Sequence, residues 1–210
     1  MIIACLAVTT IFSGCNDKEN PKDDDLATST VKTITAQVEG GSNLNSKIDE
    51  VRAFADYLSG SSWIDEEIAK GSFANGGFTI TLPDNLADKF LEVCNFPEGI
   101  NVSDKTVKRT EEVWFLAYKG GEPVGRFWYE SDNSEAMPVF VDGNVEITGT
   151  VSEKDIDGTW NRTYSLSLKT GWNLIYFTYS YDESSKIGTT TTTTKDPGGL
   201  KWFFEEYEDY

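Results

Sequence analysis

From Val31 to Tyr207 the chain is written in short runs of alternating apolar and polar residues, each stopped by glycine, proline or asparagine. A period of two sends successive side chains to opposite faces, so such a run buries one face and wets the other as a β-strand. Ile34, Ala36 and Val38 share a face within residues 31–39, and Phe78, Ile80 and Leu82 share one before Pro83. Tyr164, Leu166 and Leu168 repeat the pattern before Gly171, and Phe177, Tyr179 and Tyr181 repeat it after Trp172. Two hairpins are written in the turns. Gly120-Gly121 separates residues 113–118 from 124–130, and Asp142-Gly143 separates 137–141 from 145–151. Aromatic residues make up 13% of the chain, and they fall in the same runs as valine, isoleucine and threonine, the side chains that suit a pleated surface.

Residues 48–58 fit both the helical and the strand period, and the strands on either side decide for a strand. Helical spacing is confined to residues 84–94, where Leu86, Phe90, Leu91 and Val93 recur and Asp84 is placed as an N-cap. Thr189 to Thr194, six consecutive threonines, read as a polar edge strand. About ten short strands with turns between them predict an all-β fold, an antiparallel β-sandwich with at most one short helix. A break at residues 99–104 offers a subdivision. The first half alone supplies too few strands to close a core, so residues 31–210 are read as one domain.

The charge balance removes several functions. With 18 basic and 35 acidic side chains the net charge is −17, and such a surface repels nucleic acid and anionic lipid headgroups. The chain has no histidine, so a Ser-His-Asp triad, a Cys-His pair and a His-ligated zinc site cannot be built. Beyond Cys5 and Cys15 the only thiol is Cys94, which reads as a small buried hydrophobe.

Residues 1–13 are uncharged and mostly apolar, too short to span a bilayer but suited to the core of a secretory signal. Phe12-Ser13-Gly14-Cys15 follows and resembles the lipobox of bacterial lipoproteins. The resemblance implies cleavage after residue 14, a lipid on Cys15, and membrane attachment through that lipid. Residues 15–30 are nearly devoid of apolar side chains and carry Asp23, Asp24 and Asp25, so they read as an acidic flexible tether. Lysine-plus-acid clusters of this kind resemble the surface-export tracts of Bacteroides-type lipoproteins, which implies the outer face of the outer membrane. A plain spacer, with the body on the periplasmic side, is the alternative.

Several phrases of the body also resemble elements of small Bacteroides-type lipoproteins of unassigned function. They are Ile48-Asp49-Glu50-Val51, Asn75-Gly76-Gly77-Phe78 with Leu82-Pro83, residues 145–150 (VEITGT) and residues 168–173 (LKTGWN). This likeness implies a β-sandwich on an envelope tether and brings no catalytic residues with it.

Candidate chemistry is sparse. Asp155-Ile156-Asp157-Gly158 has the opening spacing of a calcium loop but lacks the later ligands, and a turn needs Asp and Gly for backbone reasons alone. Acid pairs such as Glu111-Glu112 and Glu205-Glu206 point to opposite faces of a strand, so neither forms a hydrolase pair by itself. Trp160 stands out because it follows a polar Asp/Gly turn, where a core role is least expected. Its ring could stack on a sugar while Asp155, Asp157 and Asn161 bond the hydroxyls. The expectation is therefore a non-catalytic binding or interaction module, with no cofactor or metal, whose partner is a glycan or another envelope protein. The alternative is an accessory subunit of an outer-membrane assembly, pairing through the sheet edge at Thr189 to Thr194. A hydrolase ranks below both.

Overall fold

The computed structural model describes residues 32–208 except 155 and 157. Cys15, expected to carry the lipid, and the expected leader and tether lie outside the described residues, as do Asp155 and Asp157.

The alternation of the sequence becomes fifteen strands among the described residues. The chain opens with β1 (Thr33–Gln37), β2 (Glu50–Ser59), β3 (Ser62–Ala74) and β4 (Gly77–Thr81). Three short pieces follow, β5 (Glu92–Val93), β6 (Ile100–Val102) and β7 (Lys108–Arg109). Then come β8 (Val113–Lys119), β9 (Glu122–Glu130), β10 (Ser134–Val141) and β11 (Val145–Lys154). The last are β12 (Thr159–Leu168), β13 (Gly171–Asp182), β14 (Ile187–Thr193) and β15 (Lys201–Glu206). Among the described residues, helical structure is limited to the short 3-10 segments Gly41–Leu44 and Asp88–Phe90. The helical spacing at residues 84–94 yields only that second segment, anchored by buried Phe90 against Tyr57, before the chain extends again as β5.

Seven strands curl around the first core in the order β1-β4-β3-β2-β8-β9, with β15 on the far side of β9. The strip nearly closes on itself, because Trp202 of β15 bridges Val38 just after β1 and its carbonyl accepts the Glu39 N–H. The enclosed face is apolar at every second position: Val51, Ala53 and Ala55 of β2 are fully buried. Phe78, Phe115, Phe127 and Trp202 pack ring to ring in the interior, with centroids 5.0–6.2 Å apart. The small alanines of β2 leave the room that these rings fill.

β10 leaves β9 after one paired position, Glu135 opposite Glu130, and founds the second part of the network. It pairs with β13 from Ser134 to Val141, and β14, β12, β11 and β6 extend the sheet beyond β13. One face of this sheet holds Val102, Val139, Val141, Ile147, Leu166, Leu168 and Ile175, packed with Cys94 and Val107 from the connecting segments. The opposite face sends Phe140 and Trp172 into the first core. Trp172 fastens the two parts: its ring meets Phe140 edge-on and its indole N–H donates to the Pro83 carbonyl at 2.7 Å.

The fold is all-β and sandwich-like, with four corrections to the sequence reading. The second hairpin does not form: β10 pairs with β13 and β11 with β12, so the Asp142-Gly143 turn passes the chain between separate strand pairs. Fifteen strands form where about ten are expected, because pieces of two or three residues are too short to show a period. The sheet is mixed, since β12 and β14 run parallel while the named strand pairs are otherwise antiparallel. The threonine run is not an edge. β14 pairs with β13 on one side and with β12 on the other, so both rows of its backbone groups are taken. Polarity suggested an edge, but edge position is set by backbone partners supplied from distant parts of the chain.

Candidate functional site

The inner face of the second sheet continues past the residues that cover it. Phe96 meets Tyr164 edge-on at 5.1 Å and marks the end of the covered core. One step further along the strands, Arg162, Thr190 and Tyr179 stand in register across β12, β14 and β13. One step beyond them stand Trp160, Gly188 and Tyr181. Tyr179 is 39% exposed and Tyr181 51% exposed, and Trp160 is half-buried. The same alternation that builds the core therefore lays an uncovered aromatic floor at its open end.

Gly188 shapes this floor. A Cβ there would come within 2.2 Å of Trp160 Cε3, so the indole lies across the glycine where any other side chain would stand. Trp160 leans over β14 until its ring comes 5.8 Å from that of Tyr181, within 25° of parallel. With its inner face on the backbone, the indole presents the other face outward. The turn that carries Tyr181 is fixed by Asp182, whose carboxylate accepts from the Ser184 N–H at 2.9 Å, from Ser184 Oγ and from Ser185 Oγ. Those bonds hold Asp182 down at about 2.

A polar rim rises beside the floor from the hairpin between β9 and β10. Ser131 N–H donates to the Ser134 carbonyl at 2.7 Å, and Tyr179 N–H donates to the Asn133 carbonyl at 2.8 Å. These bonds hold Glu130, Asp132, Asn133 and Glu135 along an open cleft of about 350 Å³ shared with Trp160, Tyr179 and Tyr181. The Tyr179 hydroxyl donates to Glu135 Oε1. Burial, then that hydrogen bond and the Glu135 charge, push the Tyr179 phenol well above the ordinary tyrosine range, so it stays a neutral donor. Burial first, and then the charges of Glu135 and Glu205, also raise Glu130. Among the described residues no lysine or arginine lines the cleft, and Arg162, one step back on the same face, is paired with Glu153. Its chemistry is thus a flat aromatic surface beside several oxygen acceptors, in a negative field.

The sequence-derived residues fare differently. Trp160 is at the cleft, but in the second position of β12 rather than in a turn; it pairs with Glu153 on one side and Gly188 on the other. Asn161, its neighbour along the strand, faces the other side and accepts a hydrogen bond from Ser152 Oγ. Glu111 pairs with Arg109, Glu206 pairs with Lys47, and Glu205 accepts from Arg126 and from the Trp128 indole. Tyr179, Tyr181, Gly188 and the 130–135 rim escaped the sequence reading as site residues. The two tyrosines left a trace in it: they alternate onto one face at the end of a long strand. No cluster of three or more acidic or cysteine side chains suited to a metal ion occurs among the described residues.

Comparison with protein-family models, with curated proteins and with solved structures finds no match to this chain.

Proposed function

We propose that this chain is a lipid-anchored envelope protein whose β body binds an uncharged glycan without catalysing a reaction on it. The observation that carries the reading is the Trp160–Tyr181 pair laid flat over Gly188 beside Glu130, Asp132, Asn133 and Glu135. Sugar rings offer an apolar C–H face and a girdle of hydroxyls, which suit an aromatic floor and carboxylate or amide acceptors respectively. The acidic rim favours neutral over anionic sugars, since an unpaired negative ligand would be repelled. The Phe12-Ser13-Gly14-Cys15 phrase and the acidic tract behind it support attachment at the envelope, with the outer surface as the side the tract favours.

The test is a glycan array probed with residues 26–210. Retention of neutral oligosaccharides, lost in Trp160→Ala, is the expected result; no retention of any glycan would defeat the reading.

A second reading has one observation in its favour. Glu130 lies directly opposite Glu135 across the strand pair, and glycoside hydrolysis uses two carboxyl groups flanking the bond. Incubation with the retained glycan separates the two: new reducing ends that vanish in Glu130→Gln would select the hydrolase. The accessory-subunit alternative loses its docking edge, because β14 is paired on both sides.

A further inference from the structure

A second aromatic surface lies on the outer wall of the first core, and the register sets its members in one row. Phe54 of β2 is opposite Trp114 of β8, and Phe203 of β15 is opposite Trp128 of β9. Phe115 faces Phe127, which puts Trp114 beside Trp128 one step along the same strand pair. The row Phe54–Trp114–Trp128–Phe203 thus crosses four neighbouring strands, a span of about 14 Å at the usual strand spacing. These rings are half-buried or exposed, Phe203 at 37%. They stand on the solvent side, because the alternate residues Phe115, Phe127 and Phe204 fill the core. Half-exposed aromatics are individually ordinary, but four adjacent ones on a polar wall form a continuous surface.

This row is not isolated from the Trp160 cleft. Trp114 and Trp128 line a pocket of about 160 Å³ with Glu112 and Met137, and Glu135 lines both this pocket and the cleft. Trp128 is held in place by its indole N–H on Glu205 at 2.9 Å and by the Arg126 guanidinium 4.3 Å over its ring. Arg126 is itself bonded to Glu205, so it offers little free charge to an anion. Glu112 adds a carboxyl group raised by burial first and then by the charges of Asp56, Glu111 and Glu135. Both segments therefore share one character, flat rings beside acidic acceptors, and Glu135 joins them.

We infer that the cleft and the outer aromatic row form one extended groove for a linear, uncharged polysaccharide chain. One end of the chain lies on Trp160 and Tyr181; the next units pass Glu135 and lie on Trp128, flanked by Trp114 on one side and Phe203 on the other. This rests on the glycan reading of the Trp160 cleft and adds the length and neutrality of the ligand. A terminal sugar would need the cleft alone, whereas the joined surfaces have room for several units in line. Occupancy by an anionic polymer is opposed by Glu112, Glu130, Asp132 and Glu135, which face it from both segments.

The experiment measures affinities of residues 26–210 for neutral disaccharides and hexasaccharides built from glucose, mannose, xylose or N-acetylglucosamine. Polygalacturonate serves as the anionic comparison. At least one hexasaccharide should bind tenfold or more tightly than its disaccharide, and polygalacturonate should not bind. Phe203→Ala and Trp128→Ala should shrink that ratio toward one while leaving disaccharide affinity unchanged; Phe203 is exposed, so its removal leaves the fold intact. Equal affinities for the two lengths, or a hexasaccharide unaffected by both variants, would overturn the extended groove and leave the Trp160 site standing. Preference for polygalacturonate would overturn the neutrality. Failure of every saccharide to bind would overturn both this inference and the glycan reading beneath it.

Discussion

Trp160 and Tyr181 meet above Gly188, two strands apart in the sheet, because the strand between them has no side chain at that position. Their rings are 5.8 Å apart and within 25° of parallel. A flat double ring of this kind is a consequence of register: one residue of slip in β14 would put Ile187 or Thr189 beneath the indole.

Gly188→Ala tests that relationship directly. The new methyl would collide with the indole at Cε3, and Trp160 must swing away from Tyr181. The near-ultraviolet circular dichroism of the stacked pair should weaken and glycan retention should fall at least tenfold. Stability should drop by about 1–3 kcal/mol, the usual cost of forcing extra volume into a packed site. A weakened spectrum with unchanged retention would mean that the flat pair is irrelevant to binding.

The start of β13 should be the most sensitive place for stability, because Trp172 joins the two cores there and Asn173 closes the turn from β12. Asn173 is fully buried; its side chain accepts from the Lys169 N–H and donates to the Lys169 and Gly171 carbonyls. Asn173→Ala strands those backbone groups and should cost roughly 2–4 kcal/mol. Trp172→Phe keeps an aromatic ring against Phe140 but leaves the Pro83 carbonyl without its indole donor, at about 1–2 kcal/mol. Denaturant titration measures both. A cost below about 0.5 kcal/mol for Trp172→Phe would show that the indole bond does not hold the parts together, and one below it for Asn173→Ala that the turn bonds do not matter.

Alkaline pH should destabilise the fold through the two phenols that the structure holds protonated. Burial first, then the charges of Asp196 and Tyr129, push Tyr176 up to about 12, and Tyr179 is raised as well. In the unfolded chain both release their protons near 10. A raised folded-state value gives stability that is whole below about pH 10 and is lost as pH rises through about 12. Absorbance titration of the nine tyrosines should show a late fraction that ionises together with unfolding. Ionisation of all nine near pH 10 at unchanged stability would contradict this.

Much of the strand layout was legible in the residues. Val51, Ala53 and Ala55 alternate strictly, and their complete burial in β2 explains why the strand reading of residues 48–58 was the right one. Gly120-Gly121 sits in the hairpin turn between β8 and β9, as its spacing suggests, whereas Asp142-Gly143 turns the chain between two strands that do not pair with each other. What was not legible depends on distant partners. Nothing local in six threonines says that β12 will lie parallel beside them, and Gly188 has meaning only once Trp160 and Tyr181 flank it. Trp160 was placed in a turn because Asp155 to Gly158 carry turn chemistry, but β12 begins at Thr159 and takes the indole into the sheet. The rim residues Ser131 to Ser134 look like any hairpin connection; β13 running alongside makes them a wall of the cleft.

The proposed anchoring is tested at Cys15. Cys15→Ala should move the protein from the membrane fraction to the soluble fraction and abolish incorporation of a fatty-acid probe, since each buried CH₂ of an acyl chain contributes ~0.8 kcal/mol to attachment. Membrane association that survives the substitution would remove the lipid from the proposed function.

The most direct measurement is a titration of residues 26–210 with the neutral hexasaccharides, followed through the indole N–H resonances of the six tryptophans. Trp160→Ala identifies one of them and should itself lower stability by only about 1–2 kcal/mol, against ~3–5 for a fully buried ring. The Trp160 resonance is expected to shift on saturation while that of Trp172, fixed on Pro83 in the core, stays in place. A Trp160 resonance that does not move at any saccharide concentration would contradict glycan binding at this cleft.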